Sequence, residues 1–167
     1  EKGEWGGVAI LTGPVSGGLV GLDVDEESAI RALERSGAHL PVTVCAVTPR
    51  GIHYYYQWRP APGSGSDFPA SGVGVVPGID VRGLGGYVVA PPTVLASGAV
   101  YHWSDGLGPD EVPLAPAPAW LRFLLATRGA PAHIEALRTG APEGSRNDSA
   151  ARLVGWLLAD GRASGQE

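Results

Sequence analysis

The chain has 167 residues with 44% apolar and 17% charged side chains, and its net charge at pH 7 is −5. This length suits one ordinary domain with a hydrophobic core and a fragment of a second domain. No apolar run approaches the ~20 residues of a membrane-spanning helix, so no membrane partner is predicted, and the acidic balance provides no global basic surface for nucleic acid.

The first part of the chain predicts strands around one helix. Its opening residues, EKGEWGG, lack the basic start and apolar run of a signal peptide, and their closeness to an apolar segment suggests a piece excised from a longer protein. Residues 8–12 and 19–25 are short apolar runs separated by a turn-rich segment, as is typical of strands. Residues 26–37 predict a helix, because acidic residues stand in the first turn and a glycine at the end.

A hairpin is predicted next, with strands at 42–48 and 53–58 joined across Pro49-Arg50-Gly51. The single cysteine, Cys45, lies in the first of these strands. It cannot form an internal disulfide, which favours a reduced, cytoplasmic setting.

The later part of the chain changes from strands to helices. A loop poor in apolar residues precedes four short predicted strands, at 73–76, 79–82, 87–90 and 101–103. Helices are predicted at 120–129 and 145–161 after a proline-rich, linker-like segment. The sequence therefore predicts an α+β fold with a mixed β-sheet, followed by a small helical appendage.

The run GLVGLDVD ends with two carboxylates one residue apart. Alternate side chains of a strand share a face, so Asp23 and Asp25 lie on one side, ~6–7 Å apart, and Leu22 and Val24 on the other. Carboxylates at that spacing repel each other unless a cation lies between them, and they suit Mg²⁺ or Mn²⁺, which take oxygen ligands. The structural alternative is a solvated strand end with Asp25 as the N-cap of the next helix.

Two further positions carry candidate site residues. His53 opens a strand after a glycine turn, where it could donate to a phosphate oxygen or serve as a half-buried structural histidine. Asp80 and Arg82 share one face of their strand. They form either a surface ion pair of little energetic value or a metal-binding carboxylate beside a phosphate-binding arginine.

The order of these motifs resembles one known family. A DxD motif at Asp23, a histidine after a turn at His53, and the long segment GIDVRGLGGYVVAPP around Asp80 are similar to the catalytic domain of bifunctional DNA primase/polymerases. That family belongs to the archaeo-eukaryotic primase superfamily, and the resemblance covers roughly residues 5–105. Its members often have serine two residues before the histidine, where this chain has Gly51.

The resemblance implies a role for each candidate residue. Asp23, Asp25 and Asp80 would be the catalytic carboxylates and the ligands of Mg²⁺ or Mn²⁺. His53 would contact the phosphates of the incoming nucleotide, and two nearby arginines, Arg50 and Arg82, would help it.

The resemblance also implies a domain organisation and partners. Residues 1–106 would form an N-terminally truncated catalytic core, 107–144 a linker and helix, and 145–167 the start of a helical primase C-terminal module. The substrates would be an NTP or dNTP and a single-stranded DNA template, in the replication of a plasmid, phage or other mobile element. A helicase domain or subunit is a further partner that the family often has.

Two other classes of function are compatible with an acidic cluster. An aspartyl-phosphate phosphatase also begins with DxD at a strand end. That enzyme, and nucleases that combine acidic residues with a lysine, need a lysine downstream of the motif. The only lysine in this chain is Lys2, which lies upstream. A non-catalytic DNA-binding module of replication is the other alternative, and the intact acidic triad argues against it.

Overall fold

Short strands dominate the described part of the chain, which in this computed structural model covers residues 7–35, 38–60 and 68–126. The strands are β1 (Val8–Leu11), β2 (Leu19–Val24), β3 (Cys45–Val47), β4 (Ile52–Gln57), β5 (Gly72–Val76), β6 (Ile79–Arg82), β7 (Tyr87–Ala90), β8 (His102–Trp103) and β9 (Ala115–Pro116). The helices are α1 (Glu27–Arg35) and α2 (Ala119–Ala126), with a 3₁₀ turn at Pro14–Ser16.

The strands form one large and one small sheet. The large sheet has the order β5-β6-β2-β4-β3-β8, and β9 adds a parallel pairing to β4. The other pairings are antiparallel, including the predicted β3–β4 hairpin. The small sheet consists of β1 and β7 alone. The predicted α+β class with a mixed sheet is therefore confirmed, and antiparallel pairs dominate it.

One face of the large sheet carries the main hydrophobic core. Leu22 and Ile79 are fully buried on this face, and the helices cover it with Leu33 of α1 and with Trp120 and Leu121 of α2. Each such side chain contributes roughly 1.5–3 kcal/mol by its removal from water. Because strand side chains alternate, this packing directs the odd-numbered residues of β2 and the even-numbered residues of β6 to the opposite face.

The opposite face meets the small sheet. Val88 of β7 packs against Leu19, Ala46 and Tyr55 of the large sheet in a second buried cluster. A side chain at Gly21 would prevent this contact, because its Cβ atom would lie 2.8 Å from Cγ1 of Val88. Gly21 thus allows the two sheets to approach each other beside the predicted site.

The predicted helices agree with the structure where it describes them. Helix α1 lies within 26–37 and buries Ala29 and Leu33. The helix predicted at 120–129 is α2, whose Trp120 indole nitrogen donates to the carbonyl of His39 at 2.9 Å. The helix predicted at 145–161 and the C-terminal module lie outside the described residues. No helix in the described ranges is long and apolar enough to cross a membrane.

The turn between β3 and β4 sets the position of His53. The hydroxyl of Thr48 accepts hydrogen bonds from the backbone N–H groups of Arg50 (3.2 Å) and Gly51 (2.9 Å). A Cβ atom on Gly51 would lie 1.9 Å from the carbonyl oxygen of Val24. The serine that is often found at this position in the family that the sequence resembles would therefore not fit here without a shift of the backbone.

This contact predicts that Gly51→Ala destabilises the protein. The added methyl group overlaps the backbone of β2, and overpacking of this kind costs about 1–3 kcal/mol. Gly7→Ala is the matched control, because the nearest atom to its Cβ would be 3.7 Å away. Urea unfolding measures both variants. Equal midpoints for the two would contradict the packing described at Gly51.

Candidate active site

Three predicted site residues lie in one row across the large sheet. Asp23 of β2 is the cross-strand partner of Asp80 on β6 and of His53 on β4. The row lies on the face that meets the small sheet, since Leu22 and Val81 beside it are buried in the core of the other face. Antiparallel register thus brings together residues that are far apart in the chain.

Arg82 joins the two carboxylates of this row. A single terminal nitrogen of its guanidinium lies 3.1 Å from Oδ2 of Asp23 and 3.0 Å from Oδ2 of Asp80. The two aspartate side chains are 17% and 16% exposed, and that of Arg82 is 31% exposed. The other oxygen of Asp80 accepts the backbone N–H of Gly74 at 2.7 Å. The two Oδ2 atoms therefore converge on one position of positive charge.

His53 holds the second oxygen of Asp23. Its Nε2 atom lies 3.2 Å from Oδ1 of Asp23, and its side chain is 8% exposed. Burial by itself raises the pKa of Asp23, but the hydrogen bonds and charges of His53 and Arg82 outweigh it and keep that pKa below its usual range. The Nδ1 atom of His53 is buried and has no hydrogen-bond partner among the described residues. Asp23 is thus held as an anion between two donors.

A cavity of about 400 Å³ opens beside Asp23 and His53 of this row. Asp23, His53 and Arg82 line it together with seven residues that the sequence did not single out as site residues, among them Ser71, Tyr87 and Tyr101. The ring of Tyr101 lies 6.0 Å from that of His53. Burial raises the pKa of Tyr101, and the charges of Asp23 and Asp25 raise it further. Its hydroxyl is thus neutral and lies within the field of both carboxylates.

The family model for the N-terminal domain of bifunctional DNA primase/polymerases matches residues 1–120. The chain belongs to this family. Its members are DNA primase/polymerases, which are nucleotidyltransferases, and the primase/polymerase domain of this chain is an enzyme whose substrates are nucleotides and DNA. The family match spans the row Asp80–Asp23–His53 and the residues that line the cavity. No curated protein sequence matches the chain significantly.

Asp25 and Arg50 lie beside the row rather than in it. Strand β2 ends at Val24, and the Asp25 side chain after it is 44% exposed. Its Oδ1 atom lies 3.9 Å from Nε of Arg50, whose side chain is 81% exposed. Among the described residues, no group of three or more His, Cys, Asp or Glu side chains is arranged to hold a metal ion. The role of Asp25 as a third ligand stays a prediction.

Primase/polymerases generally use divalent metal ions, and the donor set of this site fits one. Two carboxylate oxygens, which are the ligands that Mg²⁺ and Mn²⁺ prefer, converge on a single cationic nitrogen. Asp23 and Asp80 would hold such an ion, which would stabilise negative charge on phosphate oxygens.

The bridge predicts strong energetic coupling between Asp80 and Arg82. In a double-mutant cycle of Asp80→Asn and Arg82→Met, measured by urea unfolding in EDTA, we expect a coupling of about 1–2 kcal/mol, because removal of either partner leaves a partly buried charge. The exposed pair Glu27–Arg31 on α1, with atoms 2.9 Å apart, is the control and should give about 0.3–0.5 kcal/mol. Additive effects at Asp80 and Arg82 would refute the bridge.

Proposed function

We propose that this chain is the catalytic core of a template-dependent primase/polymerase that transfers a nucleotide from an NTP or dNTP to a 3′-hydroxyl. The observation that carries the proposal is the row Asp80–Asp23–His53, of which Asp23 and His53 line a cavity, within a chain of the primase/polymerase family. The cavity of about 400 Å³ is within the size range of small-ligand sites.

Asp23 and Asp80 would hold the divalent ion, with Asp25 as a third ligand from the end of β2. Mg²⁺ or Mn²⁺ would lower the pKa of the primer 3′-hydroxyl and neutralise the charge of the departing pyrophosphate. Asp23 suits this role because it is already an anion at neutral pH in the folded protein. Asp80 suits it because the Gly74 N–H holds one of its oxygens and leaves the other directed at Arg82.

His53 and the two arginines would bind the triphosphate. His53 donates to Asp23, so it positions this carboxylate in addition to its proposed phosphate contact. Arg82 lines the cavity and has a planar guanidinium that can contact two phosphate oxygens at once. Arg50 is largely exposed beside Asp25, from where its long side chain would reach the outer phosphates.

The finer biological assignment is part of the same proposal. The template would be single-stranded DNA, and the reaction would serve the replication of a plasmid, phage or other mobile element in the cytoplasm, together with a helicase domain or subunit. The chain's net charge of −5 predicts that the chain alone binds DNA weakly, since phosphate neutralisation supplies much of the affinity for nucleic acid.

Incorporation of labelled nucleotide on a primed single-stranded template tests the function. With Mn²⁺ or Mg²⁺ present, we expect Asp80→Ala to reduce incorporation at least about a hundredfold, because metal-assisted charge stabilisation is worth several kcal/mol. Asp110→Ala, which changes an exposed carboxylate outside the cavity lining, should retain the wild-type rate.

The same assay separates the alternatives. Release of phosphate or pyrophosphate from nucleotides without any template, or cleavage of the DNA, would instead support a phosphohydrolase or a nuclease. No metal-dependent turnover of any kind by the wild-type protein, with DNA binding retained, would support the non-catalytic module. Unchanged incorporation by Asp80→Ala would remove Asp80 from the mechanism.

A further inference from the structure

We propose that Arg82 is a built-in counter-ion that competes with the divalent metal for Asp23 and Asp80, and that it moves to the nucleotide phosphates when the metal binds. The inference rests on the proposed function, because it assumes that these carboxylates bind the metal. It adds that metal and nucleotide binding are coupled through a single arginine side chain.

The first argument is the electrostatic requirement of the two carboxylates. Asp23 and Asp80 are cross-strand partners with side chains 17% and 16% exposed. Like charges directly opposite each other destabilise a sheet, and water screens partly buried charges poorly. A cation therefore stabilises the pair in the metal-free protein, and Arg82 supplies it to both side chains from one nitrogen atom.

The second argument is that the guanidinium and a bridging metal need the same place. The Arg82 nitrogen contacts Oδ2 of Asp23 and Oδ2 of Asp80 at 3.1 and 3.0 Å. A divalent ion binds carboxylate oxygens at about 2.0–2.6 Å. The ion would therefore occupy the space in front of the same two oxygens, where its charge would also repel the guanidinium.

The third argument is that the cavity has room for the Arg82 side chain once it leaves the carboxylates. Its side chain is 31% exposed and lines the cavity. Gly85 also lines the cavity, and no atom lies within 4 Å of the position that a Cβ atom would take there, so the cavity has open space at this point. A guanidinium released into this cavity is a two-pronged donor for phosphate oxygens.

A linkage between the two ligands follows. Metal binding frees Arg82 for phosphate, and phosphate binding draws Arg82 away from the carboxylates. By reciprocity, each ligand then raises the affinity for the other by the same factor. If Arg82 instead only linked β2 to β6 and stayed in place, its loss would weaken metal binding or leave it unchanged.

Mn²⁺ binding without nucleotide distinguishes an Arg82 that competes with the metal from an Arg82 that only links β2 and β6. Free Mn²⁺ is measured by electron paramagnetic resonance in titrations of the wild type, Arg82→Gln and Arg31→Gln. We expect Arg82→Gln to bind Mn²⁺ about tenfold more tightly, which equals about 1.4 kcal/mol. Arg31→Gln removes the same charge from the surface of α1 and should change the affinity less than twofold.

The outcomes separate this inference from the proposed function. Wild-type Mn²⁺ binding that Asp23→Asn/Asp80→Asn does not weaken would overturn both, because the ion would then bind elsewhere. Binding that depends on the two aspartates but is equal or weaker in Arg82→Gln would overturn the competition alone and leave the polymerase site intact.

A second measurement uses the wild-type protein, in case Arg82→Gln does not fold. In ¹⁵N-arginine-labelled protein, the guanidinium signal of Arg82 should show slow solvent exchange in EDTA and at least about tenfold faster exchange when Mg²⁺ saturates the site. Addition of inorganic triphosphate to the Mg²⁺-bound protein should slow the exchange again. An Arg82 signal that Mg²⁺ does not change would overturn the proposal.

Discussion

The site depends on the repulsion between two carboxylates that the sheet register places directly opposite each other. Asp23 and Asp80 are partners on neighbouring antiparallel strands and are mostly removed from water. Such a pair destabilises the sheet unless a cation or a proton offsets the repulsion. In the described structure Arg82 is that cation, and His53 donates to the remaining oxygen of Asp23. The same need for positive charge makes the pair a suitable place for a divalent metal.

The fold supports this arrangement from the other side of the sheet. The helices bury the apolar face of β2 and β6, so core packing supports the two strands from the side opposite the polar groups. On the polar face, Gly21 has no side chain and so permits the small sheet to pack close by. Residues of β7 therefore line one side of the cavity. A stable hydrophobic layer thus carries a layer of paired charges beside the cavity.

The sequence predicted the strands and the faces of their side chains because alternation depends only on local geometry. The burial of Leu22 and Ile79, and the shared face of Asp80 and Arg82, follow from a period of two residues. The bridge between Asp23 and Asp80 could not be predicted in this way, because it depends on the register between β2 and β6. Tyr101 was missed for the same reason, since only the tertiary structure brings it to His53.

Asp25 shows where the DxD spacing fails to predict which side chains lie together. Its spacing from Asp23 predicts a shared face, but β2 ends at Val24 and Asp25 is paired with Arg50 instead. The family resemblance, rather than local geometry, identified the enzyme class, because the three motifs lie far apart in the chain and converge only after folding.

The most direct test of the account is the position of a bound metal ion in crystals. Crystals of the wild-type protein grown with Mn²⁺ should show an anomalous-scattering peak about 2–2.6 Å from one oxygen of Asp23 and one of Asp80, with the Arg82 guanidinium displaced from both. A peak at another place, or Arg82 still bridging the two carboxylates at saturating Mn²⁺, would contradict it.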